Sequence, residues 1–479
     1  MVLSLEQPAE RTAQLASSIA SLEARRFLQS TKDILSTQEM IYHILSRTTT
    51  YKDGAAYIEG FFGPVDCIRY GHSGVEFVPG GRHIGPPAPG EVTVLATALS
   101  LCGTDRGFLK MMQDGTLPQD VAAAKAAGHE MAGIVIGTGR GVDHCDIGDL
   151  VNPDSHVPCG VGNHLNLDAC VGSGRGCDGI VSVRGSLNAD GIRMPVPPGY
   201  FSPVVNLNAK SIVRCIPDEI AREIASPSVF ESLGNSREVL LILAEMGLSN
   251  RLGHTMLIVS GLGATGYPLT AFATHNELRV VGIDPAPSQR QLADENNTCE
   301  ATFATTQEAE NYAIPQVETA SIHNVVVAIM SGHPQALKDG IDLLRGTGFS
   351  SNNRRVLVVF GLFNDPSAPM PFIPQDFGLT QRDFVFNRRN YKTDDGIEIV
   401  GVCGRSRQTW FDMMDDFSPH QPGGLPLIHK INKGIELLPG PDPFRTLFNI
   451  LTGKEAGIQR ALAVGGNKVK LAANFYQFD

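Results

Sequence analysis

A chain of 479 residues is longer than one ordinary domain and long enough to bury two cores. Its net charge of −11 offers no basic footprint for phosphate backbones or anionic lipid, so nucleic acid is not an expected partner. No apolar run reaches the roughly 18 residues of a membrane span, and Glu, Arg and Gln interrupt the opening residues, so neither a membrane segment nor a secretory signal is expected and the chain reads as cytoplasmic.

From about Ala9 to Ser46, Leu15, Ile19, Leu22, Phe27, Ile34, Ile41 and Leu45 recur at helical spacing between charged residues, which predicts an amphipathic N-terminal extension over 1–53 that packs on the body or on another subunit. From Ala55 the pattern changes to short β-like runs, Ala56–Ile58 and Val75–Val78. The Pro/Gly segment Gly85–Gly90 then delivers a strand, Glu91–Ala98, that feeds Leu101-Cys102-Gly103-Thr104-Asp105. A helical stretch over Arg106–Met112 follows. Gly128-His129-Glu130 then opens a glycine-interrupted strand to Gly137, and after a turn Asp146–Val151 begins another strand.

A thiolate, an imidazole and carboxylates set on either side of one loop-and-helix segment are the residue types of a zinc site with an open position. Cys102 and His129 are the candidate ligands; taken singly, each is as well read as a buried thiol or a core histidine. Nine cysteines, an odd number without disulfide rhythm, favour thiols and metal ligation in a reducing compartment. Cys159, Cys170 and Cys177 stand among glycines in a segment without the spacing of a known zinc knuckle, so a structural zinc there is left open. Cys145, Cys215, Cys299 and Cys403 read as small core residues, and Trp410 as core or interface.

The Pro-Gly-Glu-Val strand at 89–92, the Cys-Gly-Thr-Asp loop at 102–105, the Gly-His-Glu turn at 128–130 and the Gly-Asp-x-Val strand at 148–151 stand in the order of the zinc-containing medium-chain dehydrogenase/reductase superfamily, which the chain resembles from about residue 54 to 479. The resemblance implies an α/β fold: a GroES-like β-rich catalytic domain at 54–235, to which 406–479 returns, and a Rossmann domain of doubly wound parallel sheet at 236–405. It also implies that Glu130 ligates the metal or exchanges with water on it, that Asp105 orients a ligand or a water, and that Thr104 relays the alcohol proton. Ser228–Leu233 sits where sorbitol and glucose dehydrogenases of the superfamily start a helix with Glu-Pro-Leu, which carries a further metal ligand onto Glu231, with Ser232 in place of the proline. A homo-oligomer is implied as well.

Downstream, the buried-type strand Met256–Ser260 runs into Gly261-Leu262-Gly263-Ala264-Thr265-Gly266, followed by a helix to His275 and a second strand, Leu278–Ile283, ending at Asp284. Strand, glycine turn, helix, strand and terminal acid within about 30 residues form a dinucleotide-binding unit. Asp284 favours NAD, since its carboxylate accepts from ribose hydroxyls and repels a 2′-phosphate; Arg290 leaves a minority case for NADP. Strands at Asn324–Ile329 and Arg355–Phe360, the latter followed by Gly361-Leu362, continue the alternation to Ile397–Val402. The tail reads as a helix at Arg407–Phe417, a Pro/Gly linker at Pro419–Pro426, a helix at Pro443–Leu451 and a strand at Lys468–Leu471.

The expected function is hydride transfer between NAD(P) and a secondary alcohol of a polyol, sugar or cyclitol-like molecule, with an alcohol or carbonyl as the small-molecule partner. Two alternatives stand beside it. One is a redox-neutral elimination, epimerisation or cyclisation that uses tightly bound NAD transiently; the other is a degenerate dehydrogenase serving as a binding or structural protein.

Overall fold

A computed structural model describes residues 44–71, 74–103, 105, 114, 128–154, 156–157, 181–182, 199–248, 254–319, 322–346, 349, 353–360, 370, 372–373, 384–385, 390–402, 404–438, 443–452, 468 and 470–474. The predicted N-terminal helices, the Arg106–Met112 helix and the cysteines at 159, 170, 177 and 403 lie outside these residues, as do Thr104, Gly361 and Leu362.

The first half is β-rich: β1 Thr49–Lys52, β2 Ala55–Ile58, β3 Gly63–Gly71, β4 Gly74–Ile84, β5 Glu91–Leu101, β6 Glu130–Thr138, β7 Leu150–Val151, β8 His156–Val157, β9 Val181–Ser182 and β10 Val204–Asn208. Two helices follow, α1 Asp218–Glu223 and α2 Phe230–Glu245. The alternating part then runs β11 Thr255–Ser260, α3 Gly266–His275, β12 Arg279–Ile283, α4 Pro287–Glu295, β13 Ala301–Phe303, α5 Thr306–Thr319, β14 Asn324–Ile329, α6 Pro334–Arg345, β15 Arg354–Phe360, β16 Asn390–Lys392 and β17 Glu398–Val402. The tail contains α7 Arg407–Phe417, α8 Gly424–Lys433, β18 Ile435–Leu437, α9 Pro443–Thr452 and β19 Lys470–Asn474.

Two main sheets result. One is mixed, in the order β1-β2-β6-β5-β19-β18, with β10 on β5 and β7 on β6. The other has the order β13-β12-β11-β14-β15-β17-β16, parallel throughout except for the antiparallel edge strand β16. The inner parallel strands are buried on both faces, as continuous runs such as Met256-Leu257-Ile258-Val259 require, while the edge strand β13 is half-buried. Strand β19 lies antiparallel to β5, with Leu471 opposite Leu101, so the C-terminal segment closes onto the first sheet beside Cys102.

The structure corrects three elements. The strand expected from Asp146 is only Leu150–Val151, because the Asp149 carboxylate accepts from the Asp146 N–H at 2.7 Å and closes 146–149 as a turn. The segment Gly199–Val205, which resembles the family's glycine-aromatic strand in sequence, is strand only from Val204: Pro203 has no N–H to donate to a ladder, and the Ser202 hydroxyl turns back to Asp66 O at 2.9 Å. The linker expected over Pro419–Pro426 ends in helix. Helix α8 starts at Gly424, and Pro426 falls in its first turn, where a missing N–H costs little.

Candidate metal and nucleotide sites

Strand β5 ends at Leu101, and the chain turns out of the sheet at Cys102 in a reciprocal loop. The Cys102 N–H donates to Asp105 Oδ2 at 3.0 Å, and the Asp105 N–H donates to Cys102 Sγ at 3.3 Å. An amide aimed at sulfur favours the thiolate a metal needs. Gly128 sets the second half of the site: its φ is +72° and a Cβ there would lie 2.1 Å from the Phe201 ring, so only glycine lets the chain enter β6 with His129 facing Cys102. His129 Nδ1 lies 3.7 Å from Cys102 Sγ.

Ligands about 2.3 Å (sulfur) and 2.1 Å (nitrogen) from a tetrahedral zinc stand about 3.6 Å apart, so this pair fits one ion. The ligand atoms of Cys102, Asp105 and His129 lie within 4.8 Å of one another, as do those of His129, Glu130 and Glu231. The two groups share His129, so the structure brings Cys102, Asp105, His129, Glu130 and Glu231 into one cluster.

Glu130 opens β6 opposite Ser100 of β5 and is only 1% exposed. Its carboxylate accepts from Lys470 Nζ at 2.6 Å and from the Ser100 hydroxyl. Burial pushes the Glu130 carboxyl up to about 7; the nearby Glu231 carboxylate adds to this, and Lys470 opposes both. Glu231 arrives from another direction, in the first turn of α2, after the short 3-10 turn Pro227–Val229. A carboxylate suits a helix N-terminus. The Ser232 hydroxyl returns to Val229 O at 2.9 Å, so serine closes this turn where the resemblance implies proline.

Two cations here had no local signature in the sequence. Lys470 is 3% exposed and reaches Glu130 across 340 positions of chain, yet its own stretch, Lys468-Val469-Lys470-Leu471, reads as an alternating strand with lysines outward. Arg405 is 1% exposed, with Nη1 3.0 Å from Glu231 Oε1 and Nε 2.8 Å from Asp154 Oδ2. A charge between a strand end and Trp410 was the one available hint.

The described residues expected to hold the nucleotide lie at the C-terminal end of the parallel sheet. Gly261 has φ +95°, and a Cβ on Gly266 would lie 1.7 Å from Gly261 O, so the turn from β11 into α3 closes only around glycine. Gly263, Ala264 and Thr265 are at least partly exposed at the mouth of the turn. Asp284 Oδ2 accepts from Leu262 N at 2.8 Å and Oδ1 from Ala286 N at 2.9 Å, which fixes the carboxylate at the end of β12 with lone pairs left for a ribose. Arg290 Nη1 donates to Asp284 O at 2.7 Å and Pro285 O at 3.0 Å, which engages the guanidinium with backbone. Helix α2 joins the two sites: it carries Glu231 in its first turn, and its Ser236 hydroxyl donates to Thr265 O at 2.7 Å.

A mixed sheet bearing a thiolate–imidazole–carboxylate cluster, next to a parallel sheet with a glycine turn, is the architecture of a two-site, nucleotide-dependent oxidoreductase. Residues 88–218 match the alcohol dehydrogenase GroES-like domain. L-threonine 3-dehydrogenase of Bacillus subtilis (strain 168) is 26% identical over 358 residues, 73% of this chain and 88% of that protein. Among solved structures, galactitol-1-phosphate dehydrogenase from Escherichia coli aligns with a TM-score of 0.56 at 14% identity, over 85% of this chain and 99% of that one. A short chain alcohol dehydrogenase from E. coli CFT073, complexed with NADH, aligns with a TM-score of 0.57 at 17% identity, over 86% and 99%. The chain thus resembles the zinc-dependent medium-chain dehydrogenase/reductase superfamily, through its GroES-like segment at 88–218 and its L-threonine 3-dehydrogenase relatives. Among the described residues, no helix is long and apolar enough to cross a membrane.

Proposed function

We propose that the protein is a zinc- and NAD-dependent dehydrogenase of a secondary alcohol, built as a catalytic domain at 54–235 with 406–479 and a coenzyme domain at 236–405. The observation that carries this reading is the Cys102–His129 pair at 3.7 Å, with Glu130 and Glu231 beside it, on the same helix-bridged frame as the 261–266 turn. Bound zinc would supply a Lewis acid for the alcohol oxygen, and NAD a hydride acceptor. Cys102 and His129 would hold the metal, with Glu130 or Glu231 completing its ligands. Asp105 holds the Cys102 loop through its N–H, Thr104 would pass the alcohol proton towards solvent, and Lys470 keeps Glu130 charge-matched inside a buried site. Asp284 would take the ribose hydroxyls and thereby favour NAD over NADP, with the 261–266 turn and Gly361-Leu362 along the coenzyme. The relatives support the substrate class, since L-threonine and galactitol 1-phosphate both carry secondary alcohols. Cytoplasmic location and a homo-oligomer belong to the same reading.

The test is zinc content per chain for the wild type and Cys102→Ser, with NADH formation followed by absorbance against L-threonine, polyols, sugar acids and sugar phosphates. Loss of one zinc and of activity together in the variant is expected. A zinc-free wild type that still reduces NAD would overturn the metal assignment. Tightly retained NAD without net reduction would point to the redox-neutral alternative.

A further inference from the structure

A guanidinium that is 1% exposed has given up nearly all its water, and what replaces that water shows what the residue does. Arg405 follows the last parallel strand, β17, and enters the metal-side cluster between two carboxylates from different elements. Nε lies 2.8 Å from Asp154 Oδ2, just after β7; Nη1 lies 3.0 Å from Glu231 Oε1 and also donates to Glu231 O at 2.7 Å. Asn235, one turn along α2, donates to the same Oε1 at 3.1 Å, so two grips on one oxygen fix the plane of the Glu231 carboxylate. The arginine is itself held. Its guanidinium carbon stands 4.9 Å from the centre of the Trp410 ring, and its stem crosses Gly234, where a Cβ would come 2.5 Å from Arg405 Cδ.

Resting on the zinc reading above, we propose that Arg405 is a positioning residue for the metal site. It keeps the Glu231 carboxylate oriented against His129 and Glu130, so that metal affinity depends on a side chain delivered from the coenzyme-sheet end of the chain. A lysine at 405 keeps the charge but loses the fork that spans both carboxylates. A methyl group on Gly234 leaves the arginine in place chemically but displaces its stem.

The experiment uses the full-length protein, with zinc affinity measured by competition against a chelating dye and the visible absorption of the cobalt(II)-substituted form as a second readout, for wild type, R405K and G234A. Thermal melts identify which variants fold. Zinc binding weaker by on the order of tenfold or more, with shifted cobalt bands, is expected in each folded variant. Unchanged zinc affinity and cobalt bands in a folded variant would overturn the proposal, and so would a loss confined to NAD affinity. A wild type that binds no zinc would instead overturn the underlying reading, and that is seen before any variant is made.

Discussion

His129 owes its place to its neighbour. Gly128 adopts φ +72° with Phe201 where a side chain would be, so the backbone that aims the imidazole at Cys102 exists only with glycine at that position. Gly128→Ala is expected to lower stability by about 2 kcal/mol or more through combined backbone strain and overpacking, and to weaken zinc binding. Urea melts with and without zinc check both effects. The motif residues were legible because their chemistry is local: Cys102 to Asp105 form one loop, and Gly128 to Glu130 one turn. Lys470 and Arg405 were not legible, because a buried cation is recognised only by the carboxylates that surround it, and those lie far away in the chain.

The elements that build the parallel sheet were readable from alternating apolar runs and helical segments, and the glycine turn from its position after β11. Where pattern misled, a single side chain had redirected the backbone. The Asp149 carboxylate made a turn of a strand, and Pro426 in a first turn made a helix look like a linker. An ion pair locks the N-terminal ends of the central strands β15 and β17: Arg354 grips Glu398 through Nε at 2.9 Å and Nη2 at 2.8 Å, while its Nη1 reaches Met246 O beyond α2. The hydrogen bonds from Arg354 hold the Glu398 carboxyl below its ordinary 4.5. A carboxylate depressed in the folded state adds stability that is fully present above its ordinary value and is lost as pH falls through the depressed one. Glu398→Gln is therefore expected to melt a few degrees below wild type near neutral pH, with the gap closing as pH falls beneath about 4.5. Melting curves across that range test it, and a gap constant with pH would count against the pairing.

Across the whole molecule, the chain closes by bringing β19 back to β5, and with it Lys470 to Glu130. Removing one member of a buried ion pair leaves a lone buried charge, at a cost of about 3–5 kcal/mol, whereas removing both costs much less. Metal-free Lys470→Met should lose stability on that scale, and the double variant with Glu130→Gln should recover much of it; a double-mutant cycle by urea unfolding measures the coupling.

The sequence by itself determined the strand–helix alternation of the parallel sheet, the candidate thiolate–imidazole pair and the glycine turn, because periodicity, glycine-dependent turns and short-range motifs are written in neighbouring residues, while the mixed sheet with its returning C-terminal segment was implied by the family resemblance. Tertiary structure alone decided how the site's charges are balanced. Glu130 is set against Lys470, and Glu231 and Asp154 against Arg405, because burial makes an unpaired charge costly and only the folded chain brings the compensating cations, 340 and 174 positions away from Glu130 and Glu231, into reach.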